Sequence, residues 1–208
     1  PDQKAADQIL KELEGEKFIV EDIHKRTTKK NPLPPFITSK LQQEAIRKLR
    51  FSARKTMTIA QQLYEGIDLG PGEPEGLITY MRTDSTRIAA EAAIEAQQLI
   101  LERFGKEYAL EKPRFFKNKK KVQDAHEAIR PTSVLHTPES VKAHLAGDQA
   151  ALYTLIWKRF VASQMQQALI NQLTLTIKAD DYALTASGSS VKFPGFMALY
   201  TATEVERQ

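Results

Sequence analysis

The chain has 208 residues, no cysteine and a formal net charge of +4. That length accommodates one large domain or two small ones with a proper core. The lack of cysteine excludes disulfides and cysteine-based zinc sites within these residues, no apolar run is long enough to span a membrane, and a pI near 9.2 permits nucleic-acid binding without demanding it.

The opening PDQKAADQIL has neither the basic start nor the apolar core of a signal peptide, and no initiator Met. It reads as the start of a piece of a longer, cytoplasmic protein. Asp2 to Glu14 carries Ile9, Leu10 and Leu13 at helical spacing with Asp2 placed to cap, and Phe18 to Thr28 suits a strand. Lys29 to Pro35 (KKNPLPP) is a linker, since its prolines oppose helix and central strand alike. Ser39-Lys40-Leu41-Gln42 has the form of a capping box before an apolar stripe of Leu41, Ala45 and Leu49. After a break at Arg50-Phe51, Ser52 can cap a second helix with Met57, Ala60, Leu63 or Tyr64, and Ile67 as its stripe. The pair resembles a helix-turn-helix.

Gly70 to Pro74 is a loop, and Leu77-Ile78-Thr79-Tyr80 then predicts a strand. Ala89, Ala92, Ala93, Ala96, Leu99 and Ile100 mark a long amphipathic helix ending near Gly105. Residues 111–124 are polar and basic and read as a surface loop. Thr137-Pro138-Glu139 is a helix start. Leu152, Leu155, Ile156 and Phe160 define a further helix running to about Ile170. LTLTIKA and DYALTAS alternate with period two and meet at Asp180-Asp181, predicting an antiparallel pair, to which VKFPGFMALY adds a strand. The expected fold is therefore α+β, mainly α. A helical domain of residues 37–170 is inserted into an antiparallel β domain formed by both ends of the chain, residues 1–36 and 171–208.

Two stretches carry chemistry. TYMRTDST brings Tyr80, Arg82, Asp84 and several hydroxyls together, and Ala125 to Pro131 (AHEAIRP) puts His126 and Arg130 four apart, on one face if that turn is helical. Each residue has a plain structural role open to it. Tyr80 can be a rim tyrosine, Asp84 a helix N-cap, His126 a satisfied imidazole, and Arg82 a partner of Asp84 or Glu75. Taken together they fit attack on a phosphodiester. The phenol must lose a proton, arginine's planar donors suit the phosphoryl oxygens, and histidine hydrogen-bonds phosphate or relays a proton near neutral pH.

LITYMRTDS followed by AHEAIRP closely resembles the active-site region of bacterial type IA DNA topoisomerases. PPFITSKLQQEA, Arg54-Lys55-Thr56-Met57, AQQLYEG, ALYTLIWKRFVASQM and LTLTIKA resemble the surrounding segments of that family, so the likeness covers nearly the whole chain. Met81 after the tyrosine is more similar to the bacterial topoisomerase I branch than to topoisomerase III or reverse gyrase. The resemblance implies that Tyr80 forms a 5′-phosphotyrosyl link to a cleaved single strand and that Arg82 contacts the scissile phosphate. It also implies that Asp84 orders the site or the opening of a gate, that His126 hydrogen-bonds near the phosphate, and that Arg130 supports DNA binding within the same motif. The implied fold is a tyrosine-bearing helical domain on a β-rich arch. The implied partners are single-stranded and negatively supercoiled DNA and the remaining domains of the same parent chain, with no membrane and a place in the cytoplasm beside the nucleoid. Mg²⁺ belongs to the family's acidic domain, which has no counterpart in these residues, so its ligands would lie outside this chain and the chain alone is expected to be inactive. The competing expectation is a nonenzymatic helix-turn-helix-like module built on residues 37–67 and the basic loop Arg114 to Lys121.

Overall fold

The computed structural model describes residues 2–70, 72–116 and 126–200. Contacts divide the chain into two units, one made of the residues up to Lys30 with Ala168–Pro194, the other of Asn31–Gln167 with the segment from Gly195 on. Among the described residues there are six α-helices and one three-stranded antiparallel sheet, an α+β fold.

In the first unit, helix α1 (Gln3–Leu13) starts where Asp2 accepts a hydrogen bond from the Ala5 amide, and none of its residues is buried. The sheet has the order β1–β2–β3, with β1 Ile19–Lys30, β2 Ala168–Ala179 and β3 Tyr182–Phe193. Its register runs from Ile19 opposite Lys178 to Lys30 opposite Ala168, and from Ala179 opposite Tyr182 to Leu169 opposite Phe193. The Asp180-Asp181 connection works because Asp180 takes φ 49°, a left-handed conformation that aspartate tolerates better than most residues. No residue of β1 or β3 is buried. Twelve-residue strands reach roughly 40 Å, so this is a long ribbon with both faces open. Cross-strand side chains brace it, with Arg26 Nε donating to Gln172 (2.7 Å) and the Thr27 hydroxyl to Asn171 (3.0 Å).

The second unit is built on α6 (Gly147–Ser163). Leu152, Tyr153, Ile156, Trp157, Phe160 and Val161 are buried around nearly its whole circumference, as befits a central helix. Against it pack α2 (Thr38–Leu49), α3 (Ala53–Glu65) and the short α5 (Pro138–Val141), while α4 (Ala90–Phe104) buries its alanine-rich face, the predicted stripe. Polar groups that enter this core are matched. Trp157 Nε1 donates to the Val134 carbonyl at 2.9 Å and the Tyr153 hydroxyl to the His136 carbonyl at 2.5 Å. Burial, reinforced by Glu75 and Glu95, pushes the Tyr153 hydroxyl well above the usual phenol range, so it stays a donor. Arg159 lies 4.4 Å over the Phe36 ring and 3.6 Å from Glu44, and burial lowers its pKa below the ordinary guanidinium value.

Several predicted boundaries shift. The Ser39 capping box does not form: α2 begins at Thr38, with Ile37 as an N-cap that has no side-chain bond. Ser52 does cap α3, accepting from the Lys55 amide, but the buried stripe is Thr56, Ile59, Ala60 and Leu63 rather than one beginning at Met57. The last helix stops at Ser163, because the chain from Ala168 on pairs with β1 instead. VKFPGFMALY does not extend the sheet past Phe193. Pro194 cannot donate to a ladder, and Gly195 turns at φ 48° into a 3₁₀ helix, Gly195–Leu199, packed on α6. A Cβ at Gly195 would stand 2.4 Å from the Gln167 carbonyl oxygen. On the helix-turn-helix reading, Lys55 of the second helix pairs with Asp148 at 2.6 Å and lies over Phe51 at 4.3 Å, while Arg54 beside it is exposed. Of the basic loop, Arg114 is spent on the Ser163 and Met165 carbonyls; residues 117–121 lie outside the described residues.

Leu152 is fully enclosed in α6. Leu152→Ala is expected to cost about 2–5 kcal/mol, measured by urea unfolding followed through the fluorescence of Trp157, the chain's single and buried tryptophan. A loss well under ~1 kcal/mol would contradict the central place given to α6.

Candidate active site around Tyr80

The segment carrying Tyr80 is not a strand of a sheet. It makes one antiparallel bridge, between Ile78 and Pro131, and from Met81 to Ala89 has no regular structure. From His126 to Pro131 the second segment is not a helical turn either. It runs extended between two neighbours, with Ile129 bridging Phe36 on one side and Pro131 bridging Ile78 on the other. The Ile129 amide donates to Phe36 (2.8 Å), the Thr79 amide to Arg130 (2.9 Å) and the Thr132 amide to Leu77 (3.0 Å).

Where backbone pairing ends, hydroxyls take over. Thr79 Oγ1 donates to the Ala128 carbonyl at 2.7 Å and accepts from the Arg130 amide at 3.0 Å. Thr38, at the start of α2, donates through Oγ1 toward the Met81 and Thr83 carbonyls (2.8 and 3.0 Å) and accepts from the Thr83 amide at 2.8 Å. Thr83 and Ser85 then accept from the amides two residues on, at 3.0 and 3.1 Å. Glu95 of α4 holds the continuation of the second segment, accepting from the Ser133 hydroxyl (2.6 Å) and the Val134 amide (2.9 Å).

Between these clips burial alternates from residue to residue. Met81, Thr83 and Ser85 are buried; Tyr80, Arg82 and Asp84 are exposed. Tyr80, Arg82 and Asp84 thus expose their side chains at alternate positions. Tyr80 is 41% exposed, within reach of solvent. Its ring lies 6.1 Å from the His126 ring, and Arg82, Asp84 and His126 line one shallow, open depression with the first turn of α2. Asp84 caps no helix, because α4 starts only at Ala90. Among the described residues, Arg82 pairs with neither Asp84 nor Glu75.

Arg130 stands apart from that depression. It is buried, with Nε and Nη2 on Glu127 (2.9 and 2.8 Å) and Nη1 on the Pro131 carbonyl (2.8 Å). Its bonds fix the loop that bears His126. The clips at Thr38 and Thr79, the Glu95 anchor and the Tyr64 ring beside Tyr80 have no signature in the sequence, since their partners lie 38 to 51 residues away or on another element. Among the described residues no three of His, Cys, Asp or Glu stand close enough to hold a metal ion, so nothing in the chemistry below is routed through one.

A family model described as DNA topoisomerase matches residues 1–208. The chain belongs to the DNA topoisomerase family, in its bacterial type IA class. Full-length topoisomerase I from Thermotoga maritima, solved in a monoclinic crystal form, is similar in structure with a TM-score of 0.82 and 39% sequence identity. The match covers 97% of this chain and 32% of that one, so the chain spans about a third of that protein's length.

Thr79→Val keeps the shape and removes the hydroxyl, leaving the Ala128 carbonyl and the Arg130 amide without this partner. We expect a loss of about 1–3 kcal/mol, accelerated hydrogen exchange at the Arg130 amide, and near-normal behaviour for Thr79→Ser. Unchanged exchange in Thr79→Val would show that the clip does not hold the site.

Proposed function

We propose that this chain carries the nucleophile of a type IA topoisomerase and works within a longer protein that cuts and rejoins one strand of DNA. The observation that supports this best is the exposure of Tyr80, Arg82 and Asp84, of which Arg82 and Asp84 have no internal ion pair among the described residues, with His126 beside the tyrosine and in one depression with Arg82 and Asp84.

In this reading Tyr80 Oη attacks the scissile phosphorus. The Oη–P bond forms as the bond from phosphorus to the 3′ oxygen breaks; the phenolic proton departs and one proton returns to the 3′ oxygen. The protein is left joined to the 5′ phosphate, and the reverse reaction reseals the strand without an outside energy source. Arg82 meets the charge that grows on the phosphoryl oxygens, where a planar, permanently charged donor is suited to two of them at once. His126 hydrogen-bonds the phosphate or carries the proton. Asp84, two residues beyond Arg82 in the same depression, orients that arginine as DNA arrives, and Arg130 acts through the loop it braces. Mg²⁺, held by residues outside this chain, supplies further charge stabilisation in the assembled protein. Negatively supercoiled DNA is the substrate, because underwinding exposes the single strand that the cut requires.

In the full-length protein containing these residues, Tyr80→Phe should leave folding and DNA binding intact and abolish covalent capture of a 3′-labelled oligonucleotide trapped with detergent. Arg82→Lys keeps the charge and loses the fork, so strand cleavage should slow roughly 10²–10³-fold. A Tyr80→Phe protein that still became linked to the cut strand would end this reading.

The 208-residue chain by itself, supplied with Mg²⁺, should not relax a negatively supercoiled plasmid on an agarose gel. Relaxation by the purified chain would show that these residues hold the whole machine.

A further inference from the structure

Two rings neighbour Tyr80. Besides His126, the Tyr64 ring lies 5.4 Å away at 69°, a near-perpendicular arrangement of the favourable edge-to-face kind. No hydrogen bond anchors the Tyr80 hydroxyl among the described residues, so ring packing is what fixes the direction of the side chain. Tyr64 is itself 41% exposed, hence not a core residue serving the stability of α3.

The mount for Tyr64 is rigid. It occupies the last turn of α3, and the Leu77 amide bonds the Leu63 carbonyl at 2.7 Å immediately beside it. Ile67 and Glu75 exchange two hydrogen bonds, of 2.9 and 3.0 Å, to close the intervening loop. Gly76 makes the approach possible, since a Cβ there would stand 2.6 Å from the Tyr64 carbonyl oxygen. The end of α3 and the start of the Tyr80 segment are thereby locked together, and the Tyr64 ring is carried to the Tyr80 ring by backbone geometry rather than by a flexible side chain.

We propose that Tyr64 is a positioning residue for the nucleophile: its ring selects the Tyr80 rotamer that presents Oη to the scissile phosphate. The proposal rests on the reading of Tyr80 given above. The Tyr64 ring, not its hydroxyl, carries the function, and the contribution falls on the chemical step rather than on DNA binding.

The test compares Tyr64→Ala and Tyr64→Phe in the full-length protein, using single-turnover cleavage of a saturating labelled oligonucleotide, the Kd for the same oligonucleotide, and Tyr80 ring and Hα–Hβ couplings by NMR in the 208-residue chain. Tyr64→Ala should slow covalent attachment roughly 3- to 10-fold, the rate equivalent of one aromatic pair. Its Kd should stay unchanged, and the Tyr80 couplings should move toward rotamer averaging. Tyr64→Phe should restore rate and couplings. Wild-type rates in Tyr64→Ala would overturn the proposal, as would equal losses in both variants, which would implicate the hydroxyl, or a rate loss matched by a Kd loss, which would place Tyr64 on the DNA. Unfolding of either variant, reported by Trp157 fluorescence, would make the ring a structural support and also overturn it. Should Tyr80→Phe still capture DNA while the Tyr80 couplings respond to Tyr64→Ala as expected, the reading of Tyr80 as nucleophile fails and the ring contact stands.

Discussion

Two threonine hydroxyls hold the candidate site in shape. Every backbone amide and carbonyl away from water needs a partner, and residues 79–83 obtain few from regular secondary structure. Thr79 and Thr38 supply them, each acting as donor and acceptor at once. A hydroxyl can do this where a second strand could not, because it satisfies a short stretch of backbone without demanding a continuous ladder. The gain is geometric. Tyr80, Arg82 and Asp84 are left exposed, while Met81, Thr83 and Ser85 are buried and anchor the segment.

The two units divide the physical work differently. In the helical one, a helix buried almost all round collects its neighbours into a dense core and gives the Tyr80 segment fixed surroundings. The ribbon has no such core: its strands are open on both faces and rely on backbone pairing and a few polar cross-strand contacts. Arginines likewise fall into two groups. Arg130, Arg114 and Arg159 are drawn inward, where carbonyls, Glu127, Glu44 or an aromatic face engage them, whereas Arg82 is left facing outward. The distinction separates arginines that build the frame from exposed ones such as Arg82.

Long amphipathic segments were legible in the sequence because burial on one face writes a period of 3.6 into composition, as α4 shows. The hairpin at Asp180-Asp181 was legible for the corresponding reason with period two. Misreadings cluster where a distant partner overrides local preference. Ser39 could have capped a helix, but Thr38 already lies inside it and its hydroxyl serves residues 81–83. The spacing of His126 and Arg130 suggested a helical turn, yet both sides of that segment are taken up by bridges. One local signal pointed the right way, since the residue before a proline is biased toward extended backbone, and Arg130 precedes Pro131. The prominent residues of the site could be picked out by their chemistry. Their supports could not, because a threonine, a glutamate or a tyrosine whose partner is tens of residues away looks like any other.

That separation bears on how the protein comes into being. The hydroxyl of Thr38 reaches 43 residues forward, and that of Thr79 reaches 49 and 51. During synthesis from the N-terminus, Tyr80 emerges well before Ala128 and Arg130, so no nascent chain that ends short of them can close the second clip. Contacts of such sequence separation carry a loop-closure cost that must be met before they form. Tyr80 is thus made early, and its surroundings close only once residues 128–130 have joined the chain.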